Sequence, residues 1–338
     1  MGGDFGPPVV VPAALEALAR RQSLHLILVG DQSLLQKEIS GSKLSDSDRS
    51  RLTIRHATQK VAMDEPPAHA LRTKKDSSMR VAVNLVKEGK AQACVSAGNT
   101  GALMATARFV LKTLPGIERP AIISTFPTIS GKNMRMLDLG ANVDTSAEHL
   151  FQFAVMGSVL TAAVDGIEKP KVYLLNIGHE DIKGNEQVKQ TANLFSNSRD
   201  INYIGFIEGN QIYAGEADVV ICDGFVGNVA LKTTEGVAVF IGKILKEEFN
   251  RNLFTKIAGL ISMPVLKAVV KRIDPDRYNG ATLLGLQGIV IKSHGGAKVL
   301  SFAHAIEEAV VQAEKNIPQL IKAKVEQLLA PKNSTGEI

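Results

Sequence analysis

Apolar runs of three to eight residues recur along the chain, and most end in a turn rich in glycine, asparagine or aspartate. Leu24–Asp31 reads as a strand ending in a polar turn. Leu52–His56, Gln92–Val95, Ala121–Phe126, Met134–Leu139, Val172–Ile177, Val219–Cys222 and Ile289–Ile291 are likewise too short for helices and are expected as strands. Between them lie stretches of helical character. Val11–Arg21 carries Pro12 in its first turn. Ser77–Gly89 is amphipathic, capped at Ser77 or Ser78 and stopped by Gly89. Ala102–Leu111 and Thr145–Val164 are rich in helix formers, and Ser301–Leu329 is helical apart from Pro318. Met1–Pro8 and Gly41–Ser50 read as loops, and Pro66-Pro67 forbids a regular helix across Lys60–Asp76. Strands alternating with helices predict an α/β fold with a mostly parallel sheet covered on both faces. Six Gly/Asn/Asp-rich turns all follow strands. In an open parallel sheet that places them on one edge, where ligands bind.

Thr233–Tyr278 breaks the alternation. It is expected to be helical without a strand, interrupted at Gly259 and Pro264, with Leu253, Ile257, Leu260 and Ile261 on one face. Net charge over the whole chain is only +5, yet Lys243–Arg272 holds seven basic and two acidic residues, an excess as large as the chain's own. A projecting helical pair of this kind is expected as a homodimer interface, as a contact with an anionic membrane surface, or as both. Nucleic acid is not expected as a partner, since no aromatic residues are interleaved for stacking and no reader motif occurs. The expected organisation is one α/β domain over residues 1–330, with 233–278 as a helical insertion and 331–338 as a frayed tail.

Other features narrow the class. With 45% apolar residues but only 5% aromatic ones and no tryptophan, the core is aliphatic. Cys94 and Cys222 both fall in apolar runs, as in a reduced cytoplasmic protein. No signal peptide is visible, and no apolar run reaches the roughly 18 residues of a membrane span. HExxH, CxxC, GxGxxG, Walker A, the Gly-x-Ser-x-Gly elbow and His-x-x-x-x-Asp are all missing from the sequence. No metal and no cofactor is therefore expected, and a covalent acyl-enzyme is disfavoured.

The most suggestive turn is Ser96-Ala97-Gly98-Asn99-Thr100-Gly101, between a strand and a helix. Helix-start N–H groups lack internal partners and favour an anion, while Gly98 and Gly101 let a ligand approach the backbone. Asn99 or Thr100 can cap the helix.

Several motifs in order resemble the bacterial acyl-carrier-protein:phosphate acyltransferases of phospholipid synthesis, the PlsX family. They are Met1-Gly2-Gly3-Asp4, Ser96–Ala102, Asp138-Leu139-Gly140-Ala141-Asn142, Asn176-Ile177-Gly178, Lys183-Gly184-Asn185-Glu186, Asp223-Gly224-Phe225-Val226-Gly227-Asn228 and His294-Gly295. The resemblance implies reversible transfer of a fatty acyl group from acyl carrier protein to inorganic phosphate, giving acyl phosphate. It also implies a Rossmann-like three-layer α/β/α fold related to phosphotransacetylases and isocitrate dehydrogenases. A homodimer and loose association with the cytoplasmic membrane follow from it too, as does hand-over to the membrane acyl-phosphate:glycerol-3-phosphate acyltransferase. Members usually begin with a short apolar strand just before the Gly-Gly-Asp turn. Such a strand is expected ahead of Met1, and a native mass equal to this sequence would refute it.

Attack of phosphate on a thioester needs oriented N–H donors and a cation around two developing negative charges. Gly98, Asn99, Thr100 and Gly101 are expected to cradle phosphate, with Lys183 as the cation. Asn228 and Asn185 are expected on the thioester oxygen, and their alternative is helix capping. His294 is expected to protonate the leaving thiolate, since histidine changes charge near neutral pH. Asp4, Asp138, Asn142 and Asp223 are expected at the phosphate or substrate site, the three aspartates orienting the donors, with the turn role common to aspartate as their alternative. Three readings compete: a phosphotransacetylase acting on acyl-CoA, a nicotinamide-dependent dehydrogenase and a membrane-surface scaffold for lipid enzymes.

Overall fold

The structure, a computed structural model, describes residues 2–42, 44–273 and 278–329. Met1 of the first motif, residues 274–277 of the expected insertion and the expected tail 331–338 lie outside the described residues. Ten strands run in chain order: β1 (Leu26–Gly30), β2 (Leu52–His56), β3 (Ala93–Ser96), β4 (Ala121–Pro127), β5 (Asn133–Leu137), β6 (Lys171–Leu175), β7 (Asn202–Ile207), β8 (Val219–Ile221), β9 (Ala281–Leu284) and β10 (Ile289–Lys292). The helices that position the site are α1 (Pro7–Arg20), α4 (Pro67–Thr73), α5 (Ser78–Lys87), α6 (Thr100–Leu111), α7 (Ala147–Asp165), α8 (Glu186–Ser196), α9 (Gly224–Asn250), α10 (Leu253–Ile273), α11 (Val299–Glu314) and α12 (Ile317–Leu329). Two shorter ones are α2 (Gln32–Ser40) and α3 (Asp46–Ser50), and α3 occupies part of the Gly41–Ser50 stretch expected as a loop.

Eight strands form one sheet in the order β3-β10-β9-β4-β5-β8-β6-β7, and β1 and β2 form a separate parallel pair. Helices cover both faces, giving the expected three-layer α/β/α fold. One apolar layer joins Val83, Leu103, Val110, Met136 and Val220 beneath α5 and α6. On the other face Phe153, Met156, Leu174, Phe195 and Ile321 pack beneath α7, α8 and α12. Among the described residues α7 alone is long and apolar enough to cross a membrane, with a mean hydropathy of 1.3. It is a core helix, with Leu150, Phe153, Ala154 and Met156 at 1% exposure or less.

The sheet corrects one expectation. Five strand pairs are parallel, but β4 runs antiparallel to both β5 and β9, and β9 antiparallel to β10. Short connections at 128–132 and 285–288 reverse the chain, each through a glycine of positive φ, Gly131 and Gly285. The turns after β3 and β10 therefore leave one end of the strands, and those after β5, β6 and β8 leave the other. They do not share one edge.

One local expectation holds and another changes. No helix runs across the prolines: α4 begins at Pro67, a position where no N–H is needed. Further on, α10 continues through Gly259 and Pro264, and the break falls at Arg251–Asn252 instead. Gly259 lies against the Phe249 ring of α9, where a Cβ would come within 2.9 Å of the ring, so close packing of the two helices accounts for the glycine.

A slot of about 300 Å³ separates β1 from β3. Leu26, Leu28, Cys94, Ala82, Phe302 and Ile306 are among its walls. Among the described residues each of the two strands pairs on its other side only, β1 with β2 and β3 with β10. Gly2 enters beside Gly98, just beyond the end of β3.

Candidate active site

The first group of candidate residues gathers where β3 and β10 end. Ser293 N–H donates to the Ser96 carbonyl at 2.9 Å and Asp4 N–H to the Gly295 carbonyl at 3.0 Å, so the N-terminal turn is laid across both strand ends. Gly3 has φ +71°, and a Cβ there would press on Ala97 and the Gly295 carbonyl, so this turn requires glycine. Asn279 Oδ1 accepts from His294 N–H at 2.9 Å, and its Nδ2 donates to Ser293 Oγ at 2.7 Å. His294 Nδ1 accepts from Gly296 N–H at 3.2 Å, which leaves Nε2–H as the free donor on an exposed imidazole.

Asn99 is not a free donor here, contrary to expectation. Its Oδ1 caps α6 by accepting from Ala102 N–H at 2.9 Å. Its Nδ2 donates to the carbonyls of Met63 at 2.8 Å and Glu65 at 3.0 Å. The amide clamps the segment before α4 over the helix start, and Gly101 lies under Pro67. Gly98 N–H is taken by Ser96 Oγ at 3.2 Å. Thr100 is exposed.

The second group lies at the opposite strand ends. Asp138 is fully buried, and its oxygens accept from Ile122 N–H (2.9 Å), Ala141 N–H (3.0 Å), Asn142 N–H (2.7 Å) and Asn142 Nδ2 (2.8 Å). Burial raises its pKa against these four bonds, which lower it. Asn142 is also buried, donates to the Pro120 carbonyl at 2.8 Å and accepts from Gly224 N–H at 2.8 Å. Both residues build the turn, and their side-chain polar atoms are engaged within it. Asp223 caps α9 through Val226 N–H at 2.9 Å. A Cβ on Gly227 would overlap the Asp138 carbonyl oxygen, so the first turn of α9 rests directly on the β5 turn. That seating brings the Asn228 side chain against Gly140. Asn228 is exposed and makes no hydrogen bond to described residues.

The loop after β6 joins this second group. Gln187 Nε2 donates to Thr145 at 2.5 Å, tying the start of α8 to the β5 loop. Asn185 caps α8 through Val188 N–H at 2.9 Å, so capping is its observed role. Lys183 is exposed, lays its stem against Gly178 and has no ion-pair partner among the described residues.

Helix α9 connects the two groups. Asn228 and Lys232 are four residues apart, on one helical face and about 6 Å along the axis. Lys232 in turn lies within electrostatic reach of Lys292, the last residue of β10. Lys292 escaped the sequence reading, although a lysine closing the run Ile289-Val290-Ile291 was a visible signal. It is 9% exposed, and burial lowers its pKa from the ordinary 10.5 to about 8. Cys94 and Cys222 are both buried, which pushes the Cys94 thiol up to about 12 and raises Cys222 as well. Neither is a nucleophile at neutral pH.

The sequence matches the family model described as "Fatty acid synthesis protein" over residues 1–320. The chain belongs to this family. A relative from Halorhodospira halophila named phosphate acyltransferase is 62% identical over 332 residues, covering 98% of this chain and 96% of its own. A phosphate acyltransferase from Coxiella burnetii is 59% identical over 329 residues, covering 97% and 96%. Among solved structures, a phosphotransacetylase from Streptococcus pyogenes aligns with a TM-score of 0.61 at 19% identity, covering 92% of each chain. The EutD phosphotransacetylase from Staphylococcus aureus gives 0.55 at 17% identity, covering 90% of each. These two likenesses establish that this family member has the phosphotransacetylase fold. In it, Lys183, Asn228 and His294 keep unengaged donors, whereas Asn99, Asp138, Asn142, Asn185 and Asp223 serve helix starts and turns.

Proposed function

We propose that the chain transfers a fatty acyl group from the thioester of acyl carrier protein to inorganic phosphate. A phosphate oxygen attacks the thioester carbonyl carbon, and the carbonyl electron pair moves onto oxygen. The carbonyl then re-forms, the C–S bond breaks, and the carrier thiolate leaves and takes a proton. Lys183 offsets the gathering negative charge, and the Asn228 amide donates to the oxyanion. His294 Nε2–H donates a hydrogen bond to the departing sulfur, and the thiolate takes its proton from solvent. Thr100, Gly98 and Gly101 lie on the phosphate side with Asp4 beside them. The observation that carries this reading is the selective freedom of Lys183 and Asn228 in a member of a family whose relatives are named phosphate acyltransferase. Direct transfer is supported by the burial of both cysteines.

The exposed apolar side chains of α9 and α10 support a contact role for this pair. Leu253, Leu260 and Ile261 are 70–76% exposed, and Ile257 49%. A contiguous apolar surface flanked by lysines suits a second copy of the chain at its base and an anionic bilayer at its tip. The protein then works in the cytoplasm at the membrane surface and passes acyl phosphate to a membrane acyltransferase using glycerol 3-phosphate.

The test is one reaction containing palmitoyl acyl carrier protein, phosphate and the protein, followed by acyl phosphate formation and carrier thiol release. Phosphate-dependent thiol release is expected, and its absence would overturn the reading. Palmitoyl-CoA as the donor separates this activity from that of a phosphotransacetylase. Lys183→Ala and Asn228→Ala are each expected to lower kcat by about 100-fold or more, as loss of an oxyanion donor does. A scaffold would lose nothing.

A further inference from the structure

Lys292 is the buried cation that the reaction just described leaves without a task. It pairs across β10–β3 with Ser96 and across β10–β9 with Ala281. Side chains alternate along a strand, so Lys292 shares the sheet face of Val290, and Ser96 that of Cys94. Both Val290 and Cys94 belong to the apolar layer under α5 and α6. Lys292 and Ser96 are therefore cross-strand neighbours at the end of that layer. The lysine Nζ donates to the Ser293 carbonyl, and no carboxylate of the described residues lies within ion-pair distance. The charged groups facing it are Asp4 from the N-terminal turn and Lys232 from α9, with His294 two residues further along its own segment. An ammonium carries three donors, and one is used here. Ser96 Oγ accepts from Gly98 N–H, which leaves the hydroxyl proton to donate.

We propose that Lys292 is a substrate-binding residue for the phosphate acceptor, holding that anion together with the Ser96 hydroxyl at the end of β3 and β10. The assignment rests on the phosphate acyltransferase reading and refines it. Lys292 and Ser96 hold the nucleophile, while Lys183 and Asn228 serve the thioester. Buried charges persist where a partner is supplied; Lys232, itself ion-paired with Glu235 at 2.8 Å, adds positive charge near Lys292 and so favours an anion there. Phosphate fits better than a carboxylate ligand, because it can accept from both ammonium and hydroxyl and keep oxygens for attack. Since the pKa of Lys292 lies near 8, the ammonium is lost above that pH, and phosphate affinity declines there.

The experiment compares wild type, Lys292→Met and Lys292→Arg between pH 6.5 and 9.5, varying phosphate and acyl donor separately. Phosphate's own ionisation is common to all three proteins, so differences between them report the side chain. Lys292→Met is expected to raise KM for phosphate at least 30-fold while the KM for acyl carrier protein thioester moves less than twofold. The decline of kcat/KM for phosphate near pH 8 disappears in that variant. Lys292→Arg stays charged throughout and carries its decline beyond the range. A phosphate KM within twofold of wild type, equal losses for both substrates, or a decline near pH 8 that survives in Lys292→Met each overturns the proposal. If Lys292→Met does not fold, the behaviour of Lys292→Arg near pH 8 decides alone. The melting-temperature rise on adding inorganic phosphate is read in parallel, without turnover. A rise in wild type that Lys292→Met loses supports the site even if no thiol is released and the activity reading fails. No rise in wild type overturns it.

Discussion

Replacing Lys292 by methionine should make the free protein more stable, and the gain should depend on pH in a defined direction. The folded state lowers the lysine pKa from 10.5 to about 8, first through burial and then through Lys232, with Asp4 opposing. At about 1.36 kcal/mol per pH unit, holding the ammonium in the fold below pH 8 costs about 3 kcal/mol relative to the unfolded chain. The side chain is nine-tenths buried, so solvent screening removes little of this. The sign follows from proton counting. Below pH 8 both states are protonated and the full cost is present. Between pH 8 and 10.5 the folded state has released the proton and the unfolded state has not, so wild-type stability rises through this window. Lys292→Met lacks the cost at every pH, and its methylenes fill the same space. Urea denaturation in phosphate-free buffer should therefore find the variant more stable by about 2–3 kcal/mol at pH 7, with the gap closing as pH approaches 10.5. Added phosphate should narrow the pH 7 gap, because only wild type gains from binding it. A variant less stable than wild type at pH 7, or a gap that ignores pH, would show that the ammonium is already neutralised by the fold.

Three further outcomes test the site's architecture. Gly227→Ala places a methyl into the Asp138 carbonyl and should cost about 2–4 kcal/mol while lowering kcat by displacing Asn228. Gly236→Ala on the same helix meets no atom within 4 Å and should gain about 0.5–1 kcal/mol, so equal melting shifts for the two would refute the packing argument. Asn99→Ser keeps a helix cap but cannot reach Met63 and Glu65. It should leave the melting temperature nearly unchanged while speeding tryptic cleavage at Lys60, and an unchanged cleavage rate would remove the clamp assigned to Asn99. An apolar, β-forming segment of five residues joined ahead of Gly2 should enter the slot between β1 and β3, pair with both edges and raise the melting temperature by several degrees. No rise, measured by calorimetry, would mean that the slot does not accept a strand.

The parts of this molecule that could be read from the sequence are those governed by neighbours in sequence. All eight expected strands recur within about two residues at each end, and Ser77 caps α5 as expected. Strand direction is not a local property. The segment Thr128–Lys132 is a polar connection, yet it reverses the chain, so β5 runs opposite to β3 and its turn leaves in the other direction from Gly98. β7 and β9 passed unnoticed because Asn202–Ile207 mixes polar residues and Gly205 into its pattern, and Ala281–Leu284 is only four residues long. The site was harder still for a chemical reason. Turns and ligand sites draw on the same residues, glycine, asparagine and aspartate, because the same short polar side chains satisfy either backbone N–H groups or a substrate. Composition could therefore find the loops of Asn99, Asp138, Asn142, Asn185 and Asp223 but not reveal that their polar atoms are committed within the fold. Hydrogen bonding separates them from Asn228, whose neighbours Gly140 and Gly227 hold it in place without engaging its amide. Lys292 is the converse case: an apolar strand marks it as structural, and only its burial near Lys232, with no carboxylate of the described residues in ion-pair distance, turns it into a question about an anion.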